Sequence, residues 1–171
     1  LRVMLLGATG TIGSATAQAL SRQGHEVVCV LRPRPDRMVE SAWQHIQSLL
    51  SGTSLRWVDP CDAVALERDV LAQERFDAVV SCMASRTGSP QDAWRVDHQA
   101  HLDVLNAAKR AGVKRIIMGT PSWPNHAQIV AAVGLELKTF KHTTAEGTAD
   151  LEALRAALAD AAPGDVVLLH G

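Results

Sequence analysis

Seven short apolar runs, RVMLL, EVVCVL, SLRWV, DAVVSC, KRIIM, LELKTF and DVVLLH, recur along the 171 residues with amphipathic stretches between them. Each run has the length and apolar density of a buried strand, and the stretches between repeat their apolar residues at helical spacing. Strands joined through crossover helices lie parallel, and their sheet is covered by helices on both faces. The expected fold is α/β: a doubly wound, mostly parallel sheet of about seven strands in a three-layer sandwich. The expected helices include TIGSATAQALSRQG, DAVALERDVLAQE and DAWRVDHQAHLDVLNAAKRAG, the last with Val96, Ala100, Leu102, Leu105 and Ala108 as its apolar positions. Gly24 and Gly112 stand where a glycine closes a helix, and Pro163-Gly164 supplies a turn before the last strand.

Composition narrows the function classes. With 47% hydrophobic and 20% charged residues the chain supports one domain with a substantial core. A formal net charge of -1 gives no electrostatic basis for nucleic acid or an anionic membrane as partner. No apolar run nears the ~18 residues that a membrane span requires. Cys29, Cys61 and Cys82 lack CxxC or CxxH spacing, so neither a disulfide framework nor a zinc site is suggested, and a reducing cytoplasmic setting is expected. No leader peptide is visible, although a chain that opens at Leu1 is compatible with one having been removed. His98 and His101, three residues apart on one helix, have no evident partner ligand, so no metal is expected. Trp43, Trp57, Trp94 and Trp123 read as core or rim aromatics, Cys82 as an inert thiol, and Lys109, Arg110, Lys114 and Arg115 as a solvated helix end.

The first run is followed by GATGTIG, with Gly7, Gly10 and Gly13 directly after a strand and opening a helix. In that βαβ context the pattern is the Rossmann-like dinucleotide fingerprint. Gly7 permits the tight turn, Gly10 lets backbone approach a pyrophosphate, and Gly13 lets helix and strand pack closely. Thr9, Thr11 and Ile12 bring the helix N-terminus and its backbone N–H groups to that phosphate. An acidic residue at the end of the second strand would mark NAD, but VLRPRP stands there instead. Arg32, with Arg34 as a second cation, suits the 2′-phosphate of NADP. After the third strand Asp59 is a candidate acceptor for the adenine amino group or a plain turn residue, and Asp62 is a helix cap. SCMAS, including Cys82 and Ala84 between Ser81 and Ser85, flanks the crevice where an open α/β sheet binds its ligand.

Together, GATGTIG, VLRPRP and VVSCMASRTGSPQDAWRVDHQAHLDVLNAAKRAGVKRII resemble the atypical short-chain dehydrogenase/reductases, most closely the divinyl chlorophyllide 8-vinyl-reductases of photosynthetic organisms. The resemblance covers residues 1–118, apart from VESAWQHIQSLLSG, which has no match. It implies an NADPH-dependent reduction of a chlorophyllide vinyl group to ethyl, with Gly7, Gly10, Gly13 and Arg32 at the cofactor. Residues 119–171 instead resemble an internal piece of the aspartate and aromatic-amino-acid aminotransferases of fold-type I, on the SWPNH motif. There Trp123 matches the residue stacked on pyridoxal phosphate and His126 a partner beneath it. The aldimine lysine, phosphate-binding elements and substrate arginine of that family have no counterpart, so productive binding of pyridoxal phosphate is not expected. The chain thus reads as a chimera of two α/β pieces, residues 1–118 as the dinucleotide part and 119–171 as two helix-strand units completing the far edge of the same sheet.

The chemistry follows from what these residues include. The sequence has no tyrosine, which excludes the tyrosine–lysine acid-base mechanism of common short-chain dehydrogenases for this chain. The reductase's substrate-binding half has no counterpart after Met118, and hydride transfer needs a positioned substrate. Three readings stay open: an NADPH-dependent reductase or its cofactor domain, a non-catalytic dinucleotide-binding module, and a fold chimera without native activity.

Overall fold

The computed structural model describes residues 1–33, 39–110, 115–120, 124–141, 143–148, 150–162 and 165–168. Arg34, Gly112, Lys114, Trp123, Pro163 and Gly164 lie outside them. All seven apolar runs are strands: β1 (Arg2–Leu6), β2 (Glu26–Leu31), β3 (Ser54–Trp57), β4 (Ala78–Ser81), β5 (Arg115–Thr120), β6 (Glu136–Lys141) and β7 (Val166–Leu168). Between them lie α1 (Thr11–Arg22), α2 (Glu40–Leu49) and α3 (Ala63–Leu66), the last running on as a π-helical turn over Glu67–Leu71. Then α4 (Pro90–Ala93) passes through a π-helical stretch, Trp94–Ala100, into α5 (His101–Arg110), followed by α6 (Pro124–Val133) and α7 (Leu151–Ala159). The unmatched VESAWQHIQSLLSG forms α2, whose Ile46 and Leu49 pack against the core.

Alternation along the strands divides the core between two faces. Met4, Leu6, Val30, Val79, Ile116, Met118 and Val166 meet α3, α5 and α6 on one side, through Leu66, Val104, Leu105, Ile129 and Val130. Val3, Leu5, Val27, Cys29, Val80, Ile117 and Val167 meet α1, α2 and α7 on the other, through Ala17, Ile46 and Ala157. Strands apolar on both faces are those a sheet buried between two helix layers requires, and the three-layer sandwich follows.

Every strand pairing is parallel, in the order β3-β2-β1-β4-β7-β5-β6. Here the expectation for the tail needs correction, because only β6 completes the far edge. β7 enters the interior, pairing Val79 with Val166 and Ser81 with Leu168 on one side, and Ile116 with Val166 and Met118 with Leu168 on the other. Burial accounts for the choice. Val166 and Val167 are 3% and 4% exposed and contribute one to each core face, whereas β6 carries Glu136, Lys138 and Lys141, the charges that keep an edge from pairing further.

The basic cluster is also corrected. Arg115 begins β5 rather than ending a helix, and its guanidinium donates to Asp165 Oδ2 from Nε at 2.9 Å and from Nη2 at 2.6 Å. Asp165 is buried and also accepts from Ala162 N at 2.8 Å. A charge that would be costly to bury alone is thus paired and hydrogen-bonded, and the pair ties the start of β5 to the approach of β7. Lys109 donates to the Val133 carbonyl, and Arg110 pairs with Glu67.

Toward the β3 edge of the sheet Glu74 joins two strands. Its carboxylate accepts from Arg56 Nε at 2.5 Å and Nη2 at 3.1 Å, and from the guanidinium of Arg2. Arg56, then the charge of Arg2, holds Glu74 below the usual carboxylate range. A lowered folded-state pKa stabilises the fold above the unfolded value, near 4.3 for glutamate, and that stabilisation is lost as pH falls through the folded value. Thermal melts from neutral pH into acid should therefore show Glu74→Gln less stable at neutrality, with the gap to the parent chain closing below about pH 4. A gap that persists unchanged at low pH would refute this assignment.

Candidate functional site

The crevice lies at the C-terminal ends of β1 and β4, where the chain leaves β1 toward α1 on one face and β4 toward α5 on the other. This is the switch point of a doubly wound sheet. Gly7 turns out of β1 at φ +75, and a Cβ there would lie 2.6 Å from the backbone carbonyl of Cys82. A Cβ on Gly13 would lie 2.1 Å from Gly7 O. Both glycines are therefore demanded by the chain's own packing. Gly10 is different: its φ of -78 is open to any residue, and a Cβ would meet only Gly7 O at an ordinary 3.5 Å. Gly10 is the N-cap of α1 without a side-chain cap, so the N–H groups of Thr11, Ile12 and Gly13 open onto the crevice. Thr9, Thr11 and Ile12 are exposed beside them.

Arg32 follows the end of β2 and is exposed. Across from it, Asp59 Oδ1 accepts from Cys61 N at 2.9 Å, and Asp62 Oδ1 accepts from Ala65 N at 3.0 Å as the expected cap. Asp59 thus closes a turn with one oxygen. Burial and then the Asp59 carboxylate push the Cys61 thiol up, while the guanidiniums of Arg95 and Arg32 pull it down. Arg95 is not among the sequence-predicted site residues, because nothing in a helical DAWRVD marks its charge as one that bears on Cys61.

The loop after β4 is held by two aspartates of the following helix. Asp97, buried, accepts from Ser85 N at 2.7 Å and Ser85 Oγ at 2.6 Å. Asp92 accepts from Arg86 N at 3.1 Å and Thr87 Oγ1 at 3.0 Å, contacts that hold its carboxyl below the usual range. The SCMASRTG and DAWRVD stretches are therefore two sides of one clamp. Ala84 is exposed on this loop, and Cys82 is half-buried with its Sγ 3.8 Å from Thr16 Oγ1, burial pushing the thiol up as an unreactive cysteine requires. Beneath it, His101 Nδ1 donates to the Val96 carbonyl at 2.9 Å, since a carbonyl only accepts, which leaves Nε2 to accept from Ser81 Oγ at 2.9 Å. His98 stacks on the exposed Trp94, with ring centroids 4.2 Å apart. His126 is buried 5.9 Å from the His101 ring, in the interior of the sandwich. Trp123, with which it would frame a pyridoxal site, lies outside the described residues.

The sheet, the glycine turn and the crevice define a Rossmann domain of the NAD(P)-binding type. Residues 3–129 match the NAD dependent epimerase/dehydratase family, and the chain belongs to it. Residues 97–171 match aminotransferase class I and II, so the two likenesses overlap across α5 and β5. The chloroplastic divinyl chlorophyllide a 8-vinyl-reductase of Oryza sativa subsp. indica is 36% identical over 116 residues, 68% of this chain and 29% of that protein. The chain thus spans less than a third of the length of that relative. The aspartate aminotransferase of Salmonella typhi is 48% identical over 65 residues, 37% of this chain and 16% of that protein. Among solved structures, the Bordetella bronchiseptica enzyme WbmH in complex with NAD+ superposes with a TM-score of 0.59 at 18% identity, covering 82% of this chain and 55% of the other. No helix among the described residues is long and apolar enough to cross a membrane.

Proposed function

We propose that this chain is the NADP(H)-binding part of a reductase of the divinyl chlorophyllide 8-vinyl-reductase type. Gly10 carries the reading. It is the one glycine of the turn that the fold does not need, and a backbone kept bare at a helix N-terminus suits a pyrophosphate. The N–H groups of Thr11, Ile12 and Gly13 would bind the phosphates, Arg32 the 2′-phosphate, and Asp59 the adenine edge with its remaining acceptor capacity. Cys82 and Ala84, on the loop after β4, would complete the cofactor site. NADPH, when bound, supplies a hydride, and these residues hold the cofactor. The free thiols fit a reducing compartment such as the cytoplasm.

Calorimetric titration with NADPH and NADH tests the cofactor. NADPH should bind more tightly, and Arg32→Ala should reduce that preference by about 1–3 kcal/mol through loss of a charge-assisted contact. Equal affinities in the parent chain would overturn the choice of NADP. A turnover assay with divinyl chlorophyllide then separates a reductase from a non-catalytic dinucleotide-binding module, the second reading, which the interior position of β7 favours.

A further inference from the structure

A dinucleotide straddles a doubly wound sheet so that each mononucleotide half rests on its own three-strand unit, β1-β2-β3 for one and the strands beyond β4 for the other. In this chain the first unit is intact. β3, β2 and β1 are neighbours in that order, with unbroken register from Arg2–Glu26 to Leu31–Trp57. The second unit is not. β7 stands between β4 and β5, in register with both, so β5 ends two strand spacings from β4 rather than one. At about 4.8 Å per spacing the end of β5 is displaced by roughly one strand width, away from any ligand seated at the β1–β4 crevice.

Resting on the NADP(H) reading above, we propose that the chain recognises only the 2′-phosphoadenosine diphosphate half of the dinucleotide and leaves the nicotinamide half in solvent. Its ligand class is then 2′-phosphorylated adenosine nucleotides in general, oxidised, reduced or lacking nicotinamide altogether. The groups suited to that half converge on one side of the crevice. The bare turn at Gly10 and the N–H groups of Thr11 to Gly13 face the diphosphate, and Arg32 stands at the end of β2. Arg95, exposed at the start of the helical stretch that follows β4, offers a second guanidinium at the C-terminal edge of the sheet. Arg95 is exposed and only loosely engaged, its Nη2 lying 3.3 Å from Asp92 Oδ1, so it is free to turn toward an added phosphate.

Calorimetry of the full chain with NADPH, NADP+, 2′-phospho-ADP-ribose and nicotinamide mononucleotide tests this. The first three should bind with dissociation constants within about threefold of one another, and nicotinamide mononucleotide should give no heat. The NADPH emission maximum should stay at the wavelength of the free cofactor at saturation, because the dihydronicotinamide remains in water. Arg95→Ala should weaken the first three ligands by a common factor, a surface change that spares the fold. If NADPH binds more than threefold more tightly than 2′-phospho-ADP-ribose, or its emission maximum shifts on binding, this inference is wrong while the NADP(H) reading stands. If none of the four binds, both are wrong.

Discussion

Gly10→Val is expected to abolish dinucleotide binding while the chain stays folded, and Gly13→Ala to weaken the fold itself. A Cβ on Gly10 would meet only one backbone oxygen at 3.5 Å, so the fold has room for it, and under the proposed reading the added side chain would occupy the place of the diphosphate. The residual cost is the exchange of an acceptable N-cap glycine for a poor one, about 1 kcal/mol. In a domain of this size that lowers Tm by only about 2–4 °C. At Gly13 the same atom would sit 2.1 Å from Gly7 O and 2.9 Å from the Ala8 Cα, all backbone of the turn. Relief requires α1 to lift away from β1, uncovering Ala17 and the Val3 and Leu5 face, at a cost on the order of 3 kcal/mol or more. Melting curves and NADPH titrations of the two variants check both statements. Normal NADPH binding by Gly10→Val would mean that the turn is only a structural corner.

The second large effect concerns the aminotransferase-like segment. Removing residues 119–171 takes away both β6 and β7, the two strands against which β5 pairs, and opens the outer edge of β4. It also removes the Asp165 partner of Arg115, and the α6 residues Ile129 and Val130 from the core. An open, apolar parallel edge pairs with other copies. Size-exclusion chromatography and circular dichroism of residues 1–118 should therefore show aggregate without a cooperative melt. A monomeric, cooperatively melting fragment would show instead that β5 slides across to β4, and that the inserted strand is dispensable.

The strands were legible because each is a short run apolar on both faces, and that pattern has few other uses in a chain of alternating elements. The glycine turn was legible for a local reason: residues that must lack a Cβ reveal themselves one at a time. Strand order was not. VVLL and RIIM carry the same apolar signal, so periodicity cannot say which of β5 and β7 lies beside β4; the answer rests on the charges of β6 and the Arg115–Asp165 pair, which act across the fold. The same limit hid Arg95, whose charge reaches Cys61 after β3, and made Arg115 look like a helix terminus because Lys109 and Arg110 precede it. The pairing of Asp92 and Asp97 with the β4 loop explains why SCMASRTG and DAWRVD are distinctive: the two aspartates hold the loop after β4 in shape.

The insertion of β7 bears on how the chain can be made. On a ribosome, β1, β2, β3 and β4 emerge early and can assemble as they appear, since each finds its neighbours among residues already synthesised. β4 then waits. Its remaining partner is the last strand, so Val79 and Val80 keep an unpaired flank through the emergence of α5, β5, α6, β6 and α7. Long-range parallel pairing of this kind is slow because loop closure precedes any gain. During that interval β5 is already present and chemically able to take the vacant place beside β4, and must be displaced or held off for β7 to enter. Yield on synthesis, as well as equilibrium stability, is then exposed to changes in β7.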